Sequence, residues 1–516
     1  MAEKMAEKNV GSFKYGALTA IGQKQTEVRF KATLKDGKIE KVLCVNLSPY
    51  LTRSECFAGQ LSYGGKASAK ILLTDQDGKV VGLNYTVDFD DVFKNEEITP
   101  DSLAKIDLSV IDCAYSVDTQ EISVSAIINA AFFAINTQEK EYVESGDFEF
   151  KTCDFNYGAV TAAVEETFTV GGEAEIDDNI VRVLSAQSQA VINSASVSEG
   201  VLTVDGEAFL NLVYLSGDGN VKNAISGFLF SRQIATGGIG EPFVYANVKS
   251  NRIHLDVKEE DKNSGFQAEI TLEARGFITQ KQTVPVICDA YSATHKLDLK
   301  ICPAYSVLSS GVFGRLINAY GEISLANPDA AVAMAGVSVD VVESKSTENG
   351  VTVSGTVEGT LLYTTKTEKI EEETDEEKDK DLFVVKTESE KFSVPFSETV
   401  DIPFVELSDT PFVQGAVKQA QTELKNGVLS LDFDVALSIN IVKDMTTTFV
   451  CGVTEGEPLA KSDSAIEVCI VNEGDSVWEV AKSLNMTVAD ILKINPELTD
   501  PVSKDDKIVI YHQKTA

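Results

Sequence analysis

The sequence predicts a mainly β protein: three diverged β-rich repeats of sandwich or barrel type, followed by a small βααβ domain. Three observations carry this reading. Landmark residues recur at a constant spacing through roughly the first 450 positions. Each recurrence centres on alternating apolar residues broken by a polar Asp-Gly turn. Strong helix signals are scarce before residue 476.

The repeat shows first in Tyr15-Gly16-Ala17, which returns as Tyr157-Gly158-Ala159, 142 positions later. Gly65, Gly78 and Phe89 return as Gly206, Gly219 and Phe230, each 141 positions on. A further offset of 149 carries Gly172-Glu173 to Gly321-Glu322, Gly206 to Gly355 and Tyr214 to Tyr363. One register across unrelated landmarks marks an internal duplication. The repeats span residues 9–145, 146–283 and 284–445.

Within each repeat the central unit is a hairpin: GGKASAKILLTDQDGKVVGLNYTVDF, then VDGEAFLNLVYLSGDGNVKNAISGFLF, then VSGTVEGTLLYT with FSVPF. In the third the turn is swollen by an acidic insertion at 366–381, KTEKIEEETDEEKDKD, which reads as a solvated loop tip, with docking of a basic partner as the alternative. Each repeat closes on a strand-like run: EISVSAIINAAFFAI, GFQAEITLEARGFI or VLSLDFDVALSINIV. Val124 to Ile135 is the most apolar run and is too short to span a bilayer, so it reads as a buried strand. Val92 to Leu108 and Pro411 to Lys425 are read as holding a helix or turn, and 446–463 as a linker.

Composition limits the function. An apolar fraction of 43% is that of globular material. A net charge of -35 argues against nucleic-acid binding, which needs clustered Lys and Arg, and favours basic partners. The N-terminus lacks the apolar stretch of a signal peptide. The eight cysteines form no CxxC pair, lie in apolar contexts and read as thiols of a reducing compartment. Three scattered histidines and the lack of HExxH, GxSxG, P-loop or dinucleotide motifs argue against an enzyme, and no cofactor is implied. Asp75-Gln76-Asp77-Gly78 lacks the ligand spacing of an EF-hand and reads as a turn, so no metal site is predicted.

The C-terminal domain, 464–514, contains the only tryptophan. Gly474 supplies a turn after a strand, and Asp475 or Ser476 caps a helix whose apolar face is Val477, Val480, Ala481 and Leu484. Thr487 caps a second helix, Asn495-Pro496 stops it, and Ile508-Val509-Ile510 return as a strand. The order Gly-Asp-Ser, Trp, Asn-Pro resembles the LysM domain, whose members bind N-acetylglucosamine polymers. What that resemblance implies is a shallow groove between two loops. Gly474, Asp475, Ser476 and Val477 form one side, and Asn495, Pro496, Glu497 and Leu498 the other. Trp478 reads equally as a sugar-stacking platform or as packing. Where the family often has Gly-Gln before the last strand, this chain has Asp505-Asp506. That departure, with Asp475, Glu497 and Asp500 nearby, suits a basic protein patch at least as well as a glycan.

Three β-rich repeats before one LysM domain resemble the SPOCS-domain proteins of spore-forming Firmicutes, and within them the clostridial SipL-like coat morphogenetic proteins. The resemblance implies a non-enzymatic scaffold made in the mother-cell cytoplasm. It would gather at the outer forespore surface with the ATPase of the coat basement layer. The alternative is a peptidoglycan- or chitooligosaccharide-binding protein acting through its LysM domain.

Overall fold

Alternating apolar residues form long antiparallel strands from Lys8 to Pro458 among the described residues. The structure, a computed structural model, describes residues 8–256, 264–325, 330–368, 383–460, 466–470, 474–503 and 507–511. The first six strands are β1 (Lys8–Thr33), β2 (Ile39–Phe57), β3 (Gln60–Asp75), β4 (Val80–Lys94), β5 (Leu103–Asp118) and β6 (Glu121–Gly146). They form two sheets, ordered β1-β6-β5 and β2-β3-β4. Next come β7 (Glu149–Ile176), β8 (Ile180–Ser198), β9 (Val201–Ser216), β10 (Val221–Ala235), β11 (Glu241–Asp256) and β12 (Ser264–Tyr291). These pair as β11-β12-β7 and β10-β9-β8. The last six strands of the body are β13 (His295–Ser324), β14 (Ala331–Thr347), β15 (Gly350–Glu368), β16 (Phe383–Asp401), β17 (Thr410–Lys425) and β18 (Val428–Pro458). They pair as β13-β18-β17 and β14-β15-β16. A single bridge, Phe313 to Ser194, joins β13 to β8 and merges two of these sheets into one of six strands.

The three strand-like closing runs lie in β6, β12 and β18, the central strands of their sheets. In β6, Ile122, Val124, Ala126, Ile128 and Ala130 are buried at period two, which turns one face into a core shared with Val28, Tyr63, Ile71 and Phe89. The alternation then stops, and Phe132, Phe133, Ala134 and Ile135 are all buried. Phe133 and Ile135 leave on the opposite face, where they pack with Phe243, Tyr245, Phe277, Val307 and Val442. Continuous apolarity here marks a strand covered on both sides.

The Asp-Gly turns form as the sequence predicts. Asp75 Oδ1 accepts the Asp77 N–H at 3.0 Å and the Lys79 N–H at 2.9 Å, and Gly78 has φ +75°. Asp218 Oδ1 accepts the Asn220 N–H at 2.9 Å beside Gly219 at φ +83°. Each aspartate is thus used to hold its own turn. The bulk of the acidic insertion lies outside the described residues, but its base is ordinary ladder, with Glu368 opposite Phe383.

Four expectations are corrected. Pro411 to Lys425 is strand β17, because Ala416 and Val417 are buried in the sheet, and a register shift between Val417 and Gln419 disguises the alternation. Residues 446–458 are the second half of β18 and pair with the start of β13, so they are no linker. A boundary at 283/284 would cut β12, which runs on to Tyr291. Cys302 and Cys451 form a disulfide, so not all cysteines are thiols.

The early halves of β1, β7 and β13 converge on one aromatic cluster. Phe13, Tyr15, Ala17, Phe155, Tyr157 and Ala304 pack there with Tyr142, Val286 and Phe449. Gly158 donates its N–H to Ser306 Oγ at 2.9 Å, and that hydroxyl also lies 3.3 Å from the Gly16 carbonyl. The recurring Tyr-Gly-Ala motif therefore marks the place where three strands meet.

Candidate functional site

The C-terminal segment folds from its caps outward. β19 (Ile466–Ile470) and β20 (Lys507–Tyr511) pair antiparallel around two short helices, α1 (Val477–Ser483) and α2 (Val488–Ile494). Ser476 and Glu479 form a reciprocal capping box at the start of α1. Their hydrogen bonds hold the Glu479 carboxyl below its ordinary range. Thr487 Oγ1 accepts the Asp490 N–H at 3.0 Å and starts α2. Val477, Val480, Ala481, Ile491, Val502 and Ile508 make the core.

One further core member comes from the body: Tyr291, at the end of β12. Its ring meets the Trp478 indole edge to face, with centroids 4.9 Å apart, and its hydroxyl donates to the Met486 carbonyl at 2.8 Å. Two residues away, Asp289 accepts the Trp478 Nε1–H at 2.9 Å and the Lys482 ammonium at 2.6 and 2.8 Å. Burial alone would raise the Asp289 carboxyl, but Lys482 and Trp478 outweigh it and hold it below its ordinary value. Burial and the acidic neighbours Glu149 and Asp289 push Tyr291 up to about 12. Asp289, Tyr291, Trp478 and Lys482 together seat the small domain on the body.

The expected groove residues divide into two kinds. Val477 is only 3% exposed and belongs to the core, while Ser476 is committed to its cap. Asn495 clamps α2 to β20: its Nδ2 donates to the carbonyls of Ile491 and Val509, and its Oδ1 accepts the Val509 N–H at 2.9 Å. Trp478 is half-buried and directed at Asp289 and Tyr291. Gly474, Pro496 and Glu497 are exposed, with Asp475 and Leu498 half-buried beside them. Backbone bonds from Gly474 to Val502 and from Val502 to Asp475 draw the two loops together, and Asp500 Oδ1 accepts the Val477 N–H at 3.1 Å. The accessible surface is therefore a small acidic one. The sequence held no sign of Asp289 or Tyr291, which lie nearly two hundred positions before α1 and carry no motif.

A second concavity, of about 390 Å³, lies between β2, β5 and β6 on one side and β7, β11 and β12 on the other. Its buried charges are paired with one another. Arg275 bonds Glu165 at 2.8 Å and Glu273 at 2.9 Å, Lys249 bonds Glu273 at 2.9 Å, and Lys105 lies over the Tyr245 ring. His254 and His295 lie on β11 and β13, and His512 falls outside the described residues. Among the described residues no cluster of three His, Cys, Asp or Glu is placed to hold a metal, and no helix is long and apolar enough to cross a membrane.

The two strands and two capped helices form a small βααβ domain. The family model of the LysM domain matches residues 469–502, so the chain carries a LysM domain, and this supports a role in binding peptidoglycan or related carbohydrate. Neither a curated protein nor a solved structure matches the chain.

Proposed function

We propose that this chain is a non-enzymatic morphogenetic scaffold of the spore coat, acting on the cytoplasmic side of the outer forespore surface. The reading takes the body as three SPOCS-type repeats like those of the SipL-like proteins. What supports it is the same six-strand pairing pattern in β1–β6, β7–β12 and β13–β18. The observation that carries it is the seat of the LysM domain. Asp289 and Tyr291 mount the domain on a large acidic body and engage Trp478, leaving Gly474, Pro496, Glu497 and Leu498 to meet a partner. An acidic mounted surface suits a basic protein patch, and the coat-basement ATPase is the partner that the resemblance suggests.

A second reading rests on the LysM match itself: these loops hold an N-acetylglucosamine polymer, with backbone groups bonding the acetamides. Pull-down of the full chain with the ATPase, beside co-sedimentation with purified peptidoglycan, separates the two. The scaffold reading expects ATPase capture that weakens about tenfold in Glu497→Lys, a loss of about 1.4 kcal/mol. Retention on peptidoglycan that free chitooligosaccharide competes away, with no ATPase capture, would overturn it. Trp478→Ala is unsuitable for this test, because it removes the seat together with the surface.

A further inference from the structure

We propose that Cys153 and Cys288 are a second disulfide-forming site, cross-linking β7 to β12 directly beneath the seat of the LysM domain. Two strand pairs of the body carry cysteines at matched positions. Between β13 and β18, Cys302 lies opposite Phe449, Ile301 opposite Val450 and Lys300 opposite Gly452, so Cys451 occupies a one-residue bulge. Between β7 and β12, Cys153 lies opposite Val286, Thr152 opposite Ile287 and Lys151 opposite Asp289, so Cys288 occupies the same bulge. The sulfurs follow the backbone. Cys451 Sγ lies 3.4 Å from the Lys300 carbonyl, and Cys288 Sγ lies 3.3 Å from the Lys151 carbonyl. The first pair is a disulfide, and the second places its two cysteines in the same register, with Cys288 in the bulge beside Cys153.

The third place of this kind differs. Between β1 and β6 the corresponding positions are Gly11 and Glu144, so no cross-link is possible there. Other uses of the Cys153–Cys288 pair fit less well. No third ligand stands near enough for a metal among the described residues. Burial and the adjacent Cys288 sulfur push the Cys153 thiol up to about 11, so at neutral pH it is a resting thiol and no freestanding nucleophile. Both cysteines are half-buried, which leaves a path for a small oxidant.

Closure needs a disulfide oxidant such as oxidised glutathione. One cysteine thiolate attacks it, forming a mixed disulfide and releasing one glutathione thiolate. The second cysteine thiolate then attacks the mixed disulfide, the protein S–S bond forms, and a second glutathione leaves. The cysteines lose two electrons and two protons, and the oxidant is reduced to two thiols. In a reducing compartment the pair stays open. Closure fixes Cys288, and with it the adjacent Asp289 that holds Trp478 and Lys482.

The test is a redox titration of the full-length chain in glutathione buffers, with iodoacetamide blocking and digestion by trypsin without reduction. Cys153 falls in peptide 152–182, Cys288 in 282–296, Cys302 in 301–315 and Cys451 in 444–461, each with no other cysteine. The expected result is two cross-linked species, 152–182 with 282–296 and 301–315 with 444–461, each about 2 Da lighter than the sum of its reduced peptides. Cys153→Ser should return peptide 282–296 as a single alkylated thiol. Recovery of Cys153 and Cys288 alkylated, or each bound to glutathione, in a buffer where Cys302 and Cys451 are joined would overturn the proposal. Pairing of either with a different cysteine would do the same.

Discussion

At Gly158 the β7 backbone runs so close to β13 that a methyl group has no room: a Cβ there would sit 2.1 Å from the Val307 carbonyl oxygen. The three nearest atoms, from Val307 and Leu308, all belong to main chain, which does not rotate away. Gly158→Ala is therefore expected to destabilise the body by about 3 kcal/mol, the upper end for overpacking, read as a lowered denaturant midpoint with unchanged slope. The Tyr-Gly-Ala recurrence was legible in the sequence as a landmark. Its cause was not, because the constraint comes from Val307 and Ser306, far along the chain. Trp478 is the same case at the site. Helical spacing put it on α1 near two loops, yet the groups that claim its indole, Asp289 and Tyr291, leave no local pattern to read. The loop residues Gly474, Pro496, Glu497 and Leu498 were legible because caps and helix stops are written in adjacent residues.

Elements were legible wherever alternation ran unbroken. β3, β4, β9 and β10 follow their Asp-Gly turns, and α1 and α2 follow their caps. β17 was misread because a bulge flips its alternation and its Ala, Gln, Lys and Glu residues suit a helix, while burial of Ala416 against the sheet decides for strand. The docking of α1 on β12 has a pH dependence of definite sign. Asp289 has a lowered carboxyl in the folded protein, so its contribution is complete above the unfolded value of about 3.9 and is lost as pH falls through the lower folded value. Tyr291 is raised, so its contribution is complete below about 10 and is lost as pH rises through about 12. Emission of the single tryptophan should thus hold steady at intermediate pH. It should shift to the red at both extremes, and Tyr291→Phe should abolish only the alkaline limb below global unfolding. An acid limb left in place by Asp289→Asn would show that Asp289 does not hold the indole.

For the molecule as a whole, the mainly β class and the terminal LysM domain were readable from pattern and motif, but the way the strands close was not. Strands β12 and β18 run well past the places where repeat arithmetic ends them, since their tails pair with β7 and β13 at the far end of the body. A chain stopped at residue 283 loses the end of β12 and also Val286, Ala304 and Phe449 from the aromatic cluster. Such a fragment is expected to be rapidly degraded in limited proteolysis and to show no cooperative melt. A chain stopped at residue 460 keeps every strand through β18 and should melt cooperatively, with only the Tyr291 seat uncovered.

The meeting of β1, β7 and β13 also sets a clock. Ser306 reaches Gly16 across 290 positions, and Phe13 touches Phe449 near the other end of the body. At about 10 residues per second of synthesis, the earliest strands wait roughly half a minute before their partners leave the ribosome. Tyr142, Phe155 and Tyr157 reach the cluster sooner, but Ala304 and Phe449 arrive only with the last six strands, so until then the newborn chain carries this apolar meeting point half-built.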